Sequence, residues 1–115
     1  MNKNEKEVGI LLHRLGVSSK YHGFDYLNKC VCLLLENEVY RHKTMNFLYE
    51  RIAEEFNCTS KCIERNIRTC IDRSWNKVSY DTVDHVFGST MNYEDDCPTN
   101  RVFIMNLLDF FKFNK

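Results

Sequence analysis

The stretch IAEEFNCTSKCIERNIRTCIDRSW, residues 52–75, contains two helical patterns separated by a very short turn. The first pattern ends at Asn57, a residue type that tolerates the left-handed backbone common at helix C-termini. A second helix can be capped by Thr59 or Ser60. Its apolar residues form one stripe at helical spacing, namely Ile63, Ile67, Ile71 and Trp75. Two helices joined by so short a turn must cross steeply, so the stretch predicts a helix-turn-helix.

The opposite face of the second helix, over residues 60–75, is polar and rich in cations. Its candidate DNA-binding residues are Lys61, Glu64, Arg65, Arg68, Thr69 and Arg73. The arginine fork pairs with both acceptors of guanine, which suits Arg65 and Arg68 to base contacts in the major groove. Lys61 and Arg73 more naturally meet phosphates. A solvated helix with a Glu64–Arg68 ion pair is the alternative interpretation of the same residues.

Length and composition indicate a single globular domain. The chain has 115 residues, 43% hydrophobic and 28% charged, which is enough for one core and too little for two ordinary domains. We therefore expect one domain over residues 1–115, with residues 1–5 as a flexible tail. No apolar run approaches the roughly 20 residues that span a bilayer, and the N-terminus lacks a secretory signal. The expected location is the cytoplasm, without a membrane partner.

Helical spacing recurs along the rest of the chain and predicts an all-α bundle of about five or six helices. Besides the two helices above, the predicted elements are a helix over 8–15 ending at Gly16, one over 24–40, a Thr44 cap for the helix over 45–57, a short helix from Ser79 or Asp81 to Gly88, an acidic loop over 89–97, and a final helix after CPTN at 97–100.

Six cysteines and four histidines raise the question of a metal site. No C-x-x-C pair occurs, and the histidines show no ligand spacing beside the cysteines. We expect reduced thiols, mostly packed as small hydrophobic residues, with no metal and no cofactor. Tyr80, Asp81 and Asp84 lie near His85, but no nucleophile elbow, phosphate loop or metal pattern accompanies them. The sequence therefore predicts neither an enzyme nor a small-molecule substrate.

The net charge is zero, but the charges are unevenly distributed. Residues 41–75 carry seven basic and five acidic side chains, whereas residues 76–97 carry one basic and five acidic side chains. Because screening at physiological salt acts over about 8 Å, local charge decides what a surface binds. A modest basic surface is therefore compatible with a neutral chain.

Seven short stretches together resemble one known family. They are LLHRLGV at 11–17, HGFDYL at 22–27, IAEEFN at 52–57, IERNIR at 63–68, SW at 74–75, VFG at 86–88 and PTN at 98–100. In this order and spacing they are similar to the C-terminal DNA-binding domain of the stage zero sporulation response regulator A family, over nearly the whole chain. The resemblance implies an all-helical bundle with a helix-turn-helix, a double-stranded DNA partner, and activation or repression through tandem dimers.

The resemblance also assigns residues. The family's recognition-helix Glu-Arg pair falls on Glu64 and Arg65 and its next arginine on Arg68, which implies base and phosphate contacts there. Two positions depart from the family, since Cys62 stands where the family has arginine and Thr69 where it has histidine. Losing a cation removes one possible charge-assisted contact, so weaker binding or a shifted base preference is expected.

The family couples this domain to a phosphorylated receiver, and 115 residues leave no room for one, so we expect a receiver-less form. The resemblance implies that the final helix contributes to the dimer contact. The candidate contact residues are Phe103, Leu107, Phe110 and Phe111, which can equally seal the domain core.

Two functions remain open at this point. The first is a sequence-specific transcription regulator. The second is a protein-interaction module or antagonist that pairs through the last helix with a full-length relative and binds DNA weakly. Cys62, Thr69 and the acidic segment favour this second function.

Overall fold

The computed structural model of the protein describes residues 2–88 and 97–113, and the regular structure in these residues is entirely helical. Its elements are α1 (Lys3–Arg14), α2 (His22–Glu36), a 3-10 helix (Glu38–His42), α3 (Met45–Phe56), α4 (Ser60–Trp75), α5 (Tyr80–Phe87) and α6 (Asn100–Phe113). The predicted all-α bundle of about five or six helices is confirmed.

Helix α2 lies at the centre of the bundle. It packs against α1, α3, α4, α6 and the 3-10 helix. The apolar face predicted from the sequence is buried, including Leu27, Val31 and Leu34, and Cys30 and Cys32 are buried beside it. A helix that is apolar over most of its circumference is typical of such a central position. α2 therefore provides the inner support for α4.

Three predicted helix caps are present in the structure. The Thr44 hydroxyl accepts a hydrogen bond from the Phe47 amide at 3.1 Å. The Thr59 hydroxyl accepts one from the Cys62 amide at 3.1 Å, so Thr59 rather than Ser60 caps α4. The Ser79 hydroxyl accepts one from the Thr82 amide at 3.2 Å. Each hydroxyl satisfies an amide that has no partner within its own helix.

Two predicted boundaries are wrong. The second helix ends at Glu36 and does not continue to residue 40. The backbone of Asn37 is extended there (φ −145°), and its side chain accepts a hydrogen bond from the Val39 amide at 3.1 Å, which starts the 3-10 helix. At the N-terminus, residues 3–5 are helical rather than a flexible tail, because Asn2 caps α1 through the Glu5 amide at 2.8 Å.

Gly23 marks the closest approach of α2 to α4. A Cβ atom at this position would lie 2.3 Å from the backbone oxygen of Asn66 and 2.5 Å from the Cys70 sulfur. Real Cβ contacts are essentially never that short, so the observed packing requires glycine. The absence of one side chain therefore sets how closely α4 sits on the core.

Helix α6 packs into the core, and most of the side chains predicted to make a dimer contact lie on its buried face. Phe103 and Leu107 are fully buried and Phe111 is 8% exposed. Packing of α2, α4 and α5 against α6 covers these side chains, so these three are not exposed, and the dimer contact on α6 stays a prediction. Phe110 is half-buried and lies 5.5 Å from the His85 ring, centroid to centroid. Phe103, Leu107 and Phe111 therefore help to close the domain core, as the alternative interpretation of these residues has it.

Further predictions from the sequence concern membrane-spanning helices, metal sites, cysteines and an acidic loop. No helix in residues 2–88 and 97–113 is both long and apolar enough to cross a membrane. The same residues contain no group of three or more His, Cys, Asp or Glu side chains arranged to hold a metal ion. All six cysteines are free thiols, and Cys30, Cys32 and Cys70 are buried. The acidic loop predicted over 89–97 lies outside the described residues, apart from Cys97.

Candidate nucleic-acid interface

The helix-turn-helix is formed by α3, a turn at Asn57 and Cys58, and α4. Asn57 adopts the predicted left-handed backbone, with φ 54° and ψ 51°. The Cys58 amide then donates to the Ala53 carbonyl at 3.0 Å, closing the end of α3. Ala53 is small and buried, as expected where the two helices pack. α4 begins directly after the Thr59 cap, so the turn is as short as the sequence predicts.

The two faces of α4 differ sharply in exposure. Its buried residues are Ile63, Ile67, Cys70, Ile71, Ser74 and Trp75. Of the six predicted DNA-binding residues, five are exposed: Lys61, Glu64, Arg65, Thr69 and Arg73. The sixth, Arg68, is half-buried. The predicted division of the helix into an inner apolar face and an outer polar face is confirmed.

Arg68 is held by two partners rather than free in solvent. Its Nε and Nη2 atoms donate to one carboxylate oxygen of Asp72 at 3.1 and 2.7 Å. Nη2 also lies 2.9 Å from the Cys97 sulfur. The ion pair weighed with Glu64 in the sequence is therefore made with Asp72 instead. Arg68 ties α4 to the segment that precedes α6.

The titration of these partners follows from the same contacts. Hydrogen bonding from Arg68 lowers the pKa of Asp72, so this carboxylate is charged at neutral pH. Burial raises the pKa of Cys97 to about 11, although nearby Arg68 opposes the shift. The neutral Cys97 thiol can then donate to Asp72, 3.4 Å away. The charge of Arg68 is thus partly offset by Asp72, which leaves less of it for a ligand.

Arg65 and Lys61 are two cations in the first two turns of α4 that remain available to a ligand. Both side chains are exposed, and neither pairs with a carboxylate among residues 2–88 and 97–113. They are four positions apart and therefore adjacent on one side of the helix. An unpaired guanidinium on an outward helix face is the arrangement that bidentate recognition of guanine requires.

Arg73 lies on the flank of α4. Each residue turns the helix by about 100°, which places Arg73 about 120° around the axis from Lys61. Its Nη1 atom is 3.3 Å from the Tyr21 hydroxyl, and its guanidinium carbon is 5.2 Å from the centroid of that ring. Such a flanking cation suits a phosphate contact better than a base contact.

Cys62 and Thr69, the two positions at which the resemblance implies a departure from the family, differ in exposure. Cys62 is half-buried, and its sulfur lies 3.4 Å from the side-chain nitrogen of Asn66. Thr69 is exposed. A ligand on the outer face therefore reaches Thr69 more easily than Cys62, and Thr69 is the departure better placed to affect base preference.

A cleft beside α4 involves residues that the sequence analysis missed. It has a volume of about 670 Å³, and its lining includes Lys61, Glu64, Arg65, Arg68, Asn100 and Arg101. The Asn100 side chain donates to the Glu64 carbonyl at 3.3 Å and to the Tyr49 hydroxyl at 3.1 Å. The PTN stretch marked Asn100 as part of the resemblance, but no helical pattern links it to α4. The start of α6 thus belongs to this surface.

Together, the short turn, the buried inner face of α4 and its exposed cations define a helix-turn-helix DNA-binding domain. Comparison with known families places it more closely. Residues 8–110 match the family described as sporulation initiation factor Spo0A C terminal. The chain belongs to this family, whose members are DNA-binding effector domains, and the resemblance found in the sequence is confirmed.

Proposed function

We propose that this protein is a sequence-specific regulator of transcription that binds double-stranded DNA and reads the major groove with α4. The observation that carries the proposal is the exposed, unpaired Arg65, next to Lys61 on the outward face of a helix whose inner face is buried. A major groove admits one α-helix, and residues in its early turns reach the base edges. A DNA partner also accords with a cytoplasmic location.

The individual roles follow from how each side chain is held. Arg65 is free to pair with guanine, and Glu64 can accept from the cytosine amino group. Lys61, at the start of the helix, and Arg73, on its flank, meet phosphates. Arg68 is oriented by Asp72, so we assign it a phosphate contact and a part in positioning the helix.

Selection from a random duplex library tests this proposal. The wild type and Arg65→Ala are compared at two salt concentrations, with Lys6→Ala as a control that removes one exposed cation from α1. We expect the wild type and the control to enrich the same motif. Arg65→Ala should lose about 1–3 kcal/mol of discrimination at one base pair. If Arg65→Ala discriminates between base pairs as well as the wild type does, Arg65 does not read a base.

The same selection tests the tandem homodimer. Two copies bound side by side predict a repeated half-site, with centres about 10–10.5 base pairs or a multiple of that spacing apart. A single isolated half-site would instead indicate a monomer on DNA.

The interaction-module function receives less support than DNA binding. Pairing through the last helix needs an exposed apolar face, whereas three of the four residues predicted for it, Phe103, Leu107 and Phe111, are buried within the domain. The exposed large apolar residues of α6 are Val102, near its start, and Phe113, at its end. Failure of the wild type to enrich any motif, together with co-purification with a receiver-bearing relative, would reverse this preference.

A further inference from the structure

We infer that Arg101, at the start of α6, is a DNA contact outside the helix-turn-helix and holds a backbone phosphate beside the groove occupied by α4. The inference rests on the proposed function, because it adds a contact to the same DNA ligand. It also extends the interface from the helix-turn-helix to a different helix of the bundle.

Two sets of contacts hold the segment before and at the start of α6 against the helix-turn-helix. Arg68 of α4 bonds to Cys97 at 2.9 Å. Asn100 bonds to the Glu64 carbonyl of α4 and the Tyr49 hydroxyl of α3 at 3.3 and 3.1 Å. Arg101 follows directly, so its backbone has a defined position beside the outer face of α4.

The charges in the cleft leave Arg101 available to an anion. Arg101 is exposed and pairs with none of the carboxylates in the described part of the chain. By contrast, Arg41 pairs with Asp109 at 3.0 Å and Arg68 with Asp72 at 2.7 Å. Arg65 and Arg101 therefore contribute guanidinium groups without a salt-bridge partner in the described residues, from two helices, to one cleft that Glu64 also lines. A polyanion that spans both helices satisfies both groups.

A phosphate is the expected partner rather than a base edge. When α4 lies in the major groove, an element beside it meets the sugar–phosphate strand that borders the groove. Contacts of this kind fix the register of the protein on the duplex and carry no sequence information directly. Arg101 should therefore contribute affinity and salt dependence while leaving base preference unchanged.

Salt titration of binding to the motif selected by the wild type tests this inference. The proteins compared are the wild type, Arg101→Ala, Arg101→Lys and the control Lys6→Ala. Losing one phosphate contact should reduce the slope of log affinity against log salt by about 0.9. The affinity advantage of the wild type over Arg101→Ala should then shrink about 3.5-fold between about 50 and 200 mM salt. Arg101→Lys keeps the charge and should restore the slope, and Lys6→Ala should retain it.

Each outcome bears on a different claim. A wild-type slope in Arg101→Ala would overturn the Arg101 contact while leaving the proposed function intact. A changed base preference in Arg101→Ala, measured on single-base variants of the motif, would overturn the assignment to a phosphate. If the wild type selects no motif, the proposed function fails, and this inference fails with it. Melting temperatures of the variants, expected to match the wild type, exclude misfolding as the cause of a lower slope.

Discussion

Replacing Gly23 by alanine should push α2 and α4 apart. The new Cβ atom would lie 2.3 Å from the Asn66 carbonyl oxygen, whereas ordinary contacts begin at 3.4 Å. The helices would therefore have to separate by about 1 Å, which forfeits a quarter to a half of the dispersion attraction across the affected contacts. Because the obstructing atom belongs to the backbone, no side-chain rotation can relieve the clash.

The expected cost combines two opposing terms. Overpacking of this kind costs about 1–3 kcal/mol, and a backbone obstacle favours the upper end. Alanine is the better helix former by about 0.5–1 kcal/mol in a helix interior, and by less in the first turn, where Gly23 lies. We expect Gly23→Ala to lower the free energy of unfolding by about 2 kcal/mol.

Gly9 provides a matched control in α1. A Cβ atom there would lie 3.5 Å from the Asn28 side-chain nitrogen and 3.7 Å from the Phe24 ring, which are ordinary contacts. Gly9→Ala should therefore raise the free energy of unfolding by about 0.5–1 kcal/mol. The two variants should differ by about 3 kcal/mol, or about 12 °C in melting temperature for a domain of this size.

Urea and thermal unfolding followed by circular dichroism measure both variants. The same change of residue, glycine to alanine within a helix, should have opposite signs at the two positions. Stabilisation by Gly23→Ala, or equal effects at both positions, would refute the argument that the close approach of α2 and α4 depends on glycine.

Three further predictions concern caps, the turn and ionisation. Thr59→Ala should cost about 1 kcal/mol in urea unfolding, because the Cys62 amide loses its cap, and Thr59→Ser should recover most of it. Asn57→Ala should lower the free energy of unfolding by about 1–2 kcal/mol, because φ is positive at this residue. Asn57→Gly should cost little, since glycine adopts this backbone without strain. A near-neutral effect of Asn57→Ala would contradict the prediction. Burial raises the pKa of Cys30 to about 12 from 9.0, so the unfolded thiol ionises first. The free energy of unfolding should then fall as pH rises from about 9 to 12, by up to about 1.4 kcal/mol per pH unit for this thiol. Urea denaturation at a series of pH values should show a shallower fall for Cys30→Ala than for the wild type.

The elements that the sequence predicts well are those set by local chemistry. The caps at Thr44 and Thr59 and the turn at Asn57 each depend on residues within a few positions. The sequence predicts too late an end for α2, because the apolar spacing continues past Asn37 whereas the helix ends at Glu36. The Asn37 side chain accepts a hydrogen bond from the Val39 amide, and this bond competes with continuation of the helix. The spacing of apolar residues contains no information on such a bond.

The parts of the interface that the sequence does not predict are set by distant contacts. The outward face of α4 follows from its period. However, Arg68 donates a hydrogen bond to Cys97, which is 29 positions away along the chain. These two residues meet only because the helices pack into a bundle. Arg101 escapes sequence reasoning for the same reason, because nothing in its own helical pattern points to α4. Exposed cations on a neighbouring helix become part of a binding surface only through tertiary packing.

Contacts from the core side determine which side chains α4 exposes on its outer face, the face proposed to meet DNA. One residue of slippage would rotate the helical pattern by about 100° and carry Arg65 off the outward face. Two contacts oppose such a rotation: the Asn66 carbonyl lies against Gly23, and the Glu64 carbonyl accepts from Asn100. These contacts involve the backbone of α4, so they constrain the helix without using the side chains that meet a ligand. If Arg65 reads bases as proposed, base preference depends on α2 and α6 as well as on the exposed residues, since those helices fix the rotation of α4 about its axis.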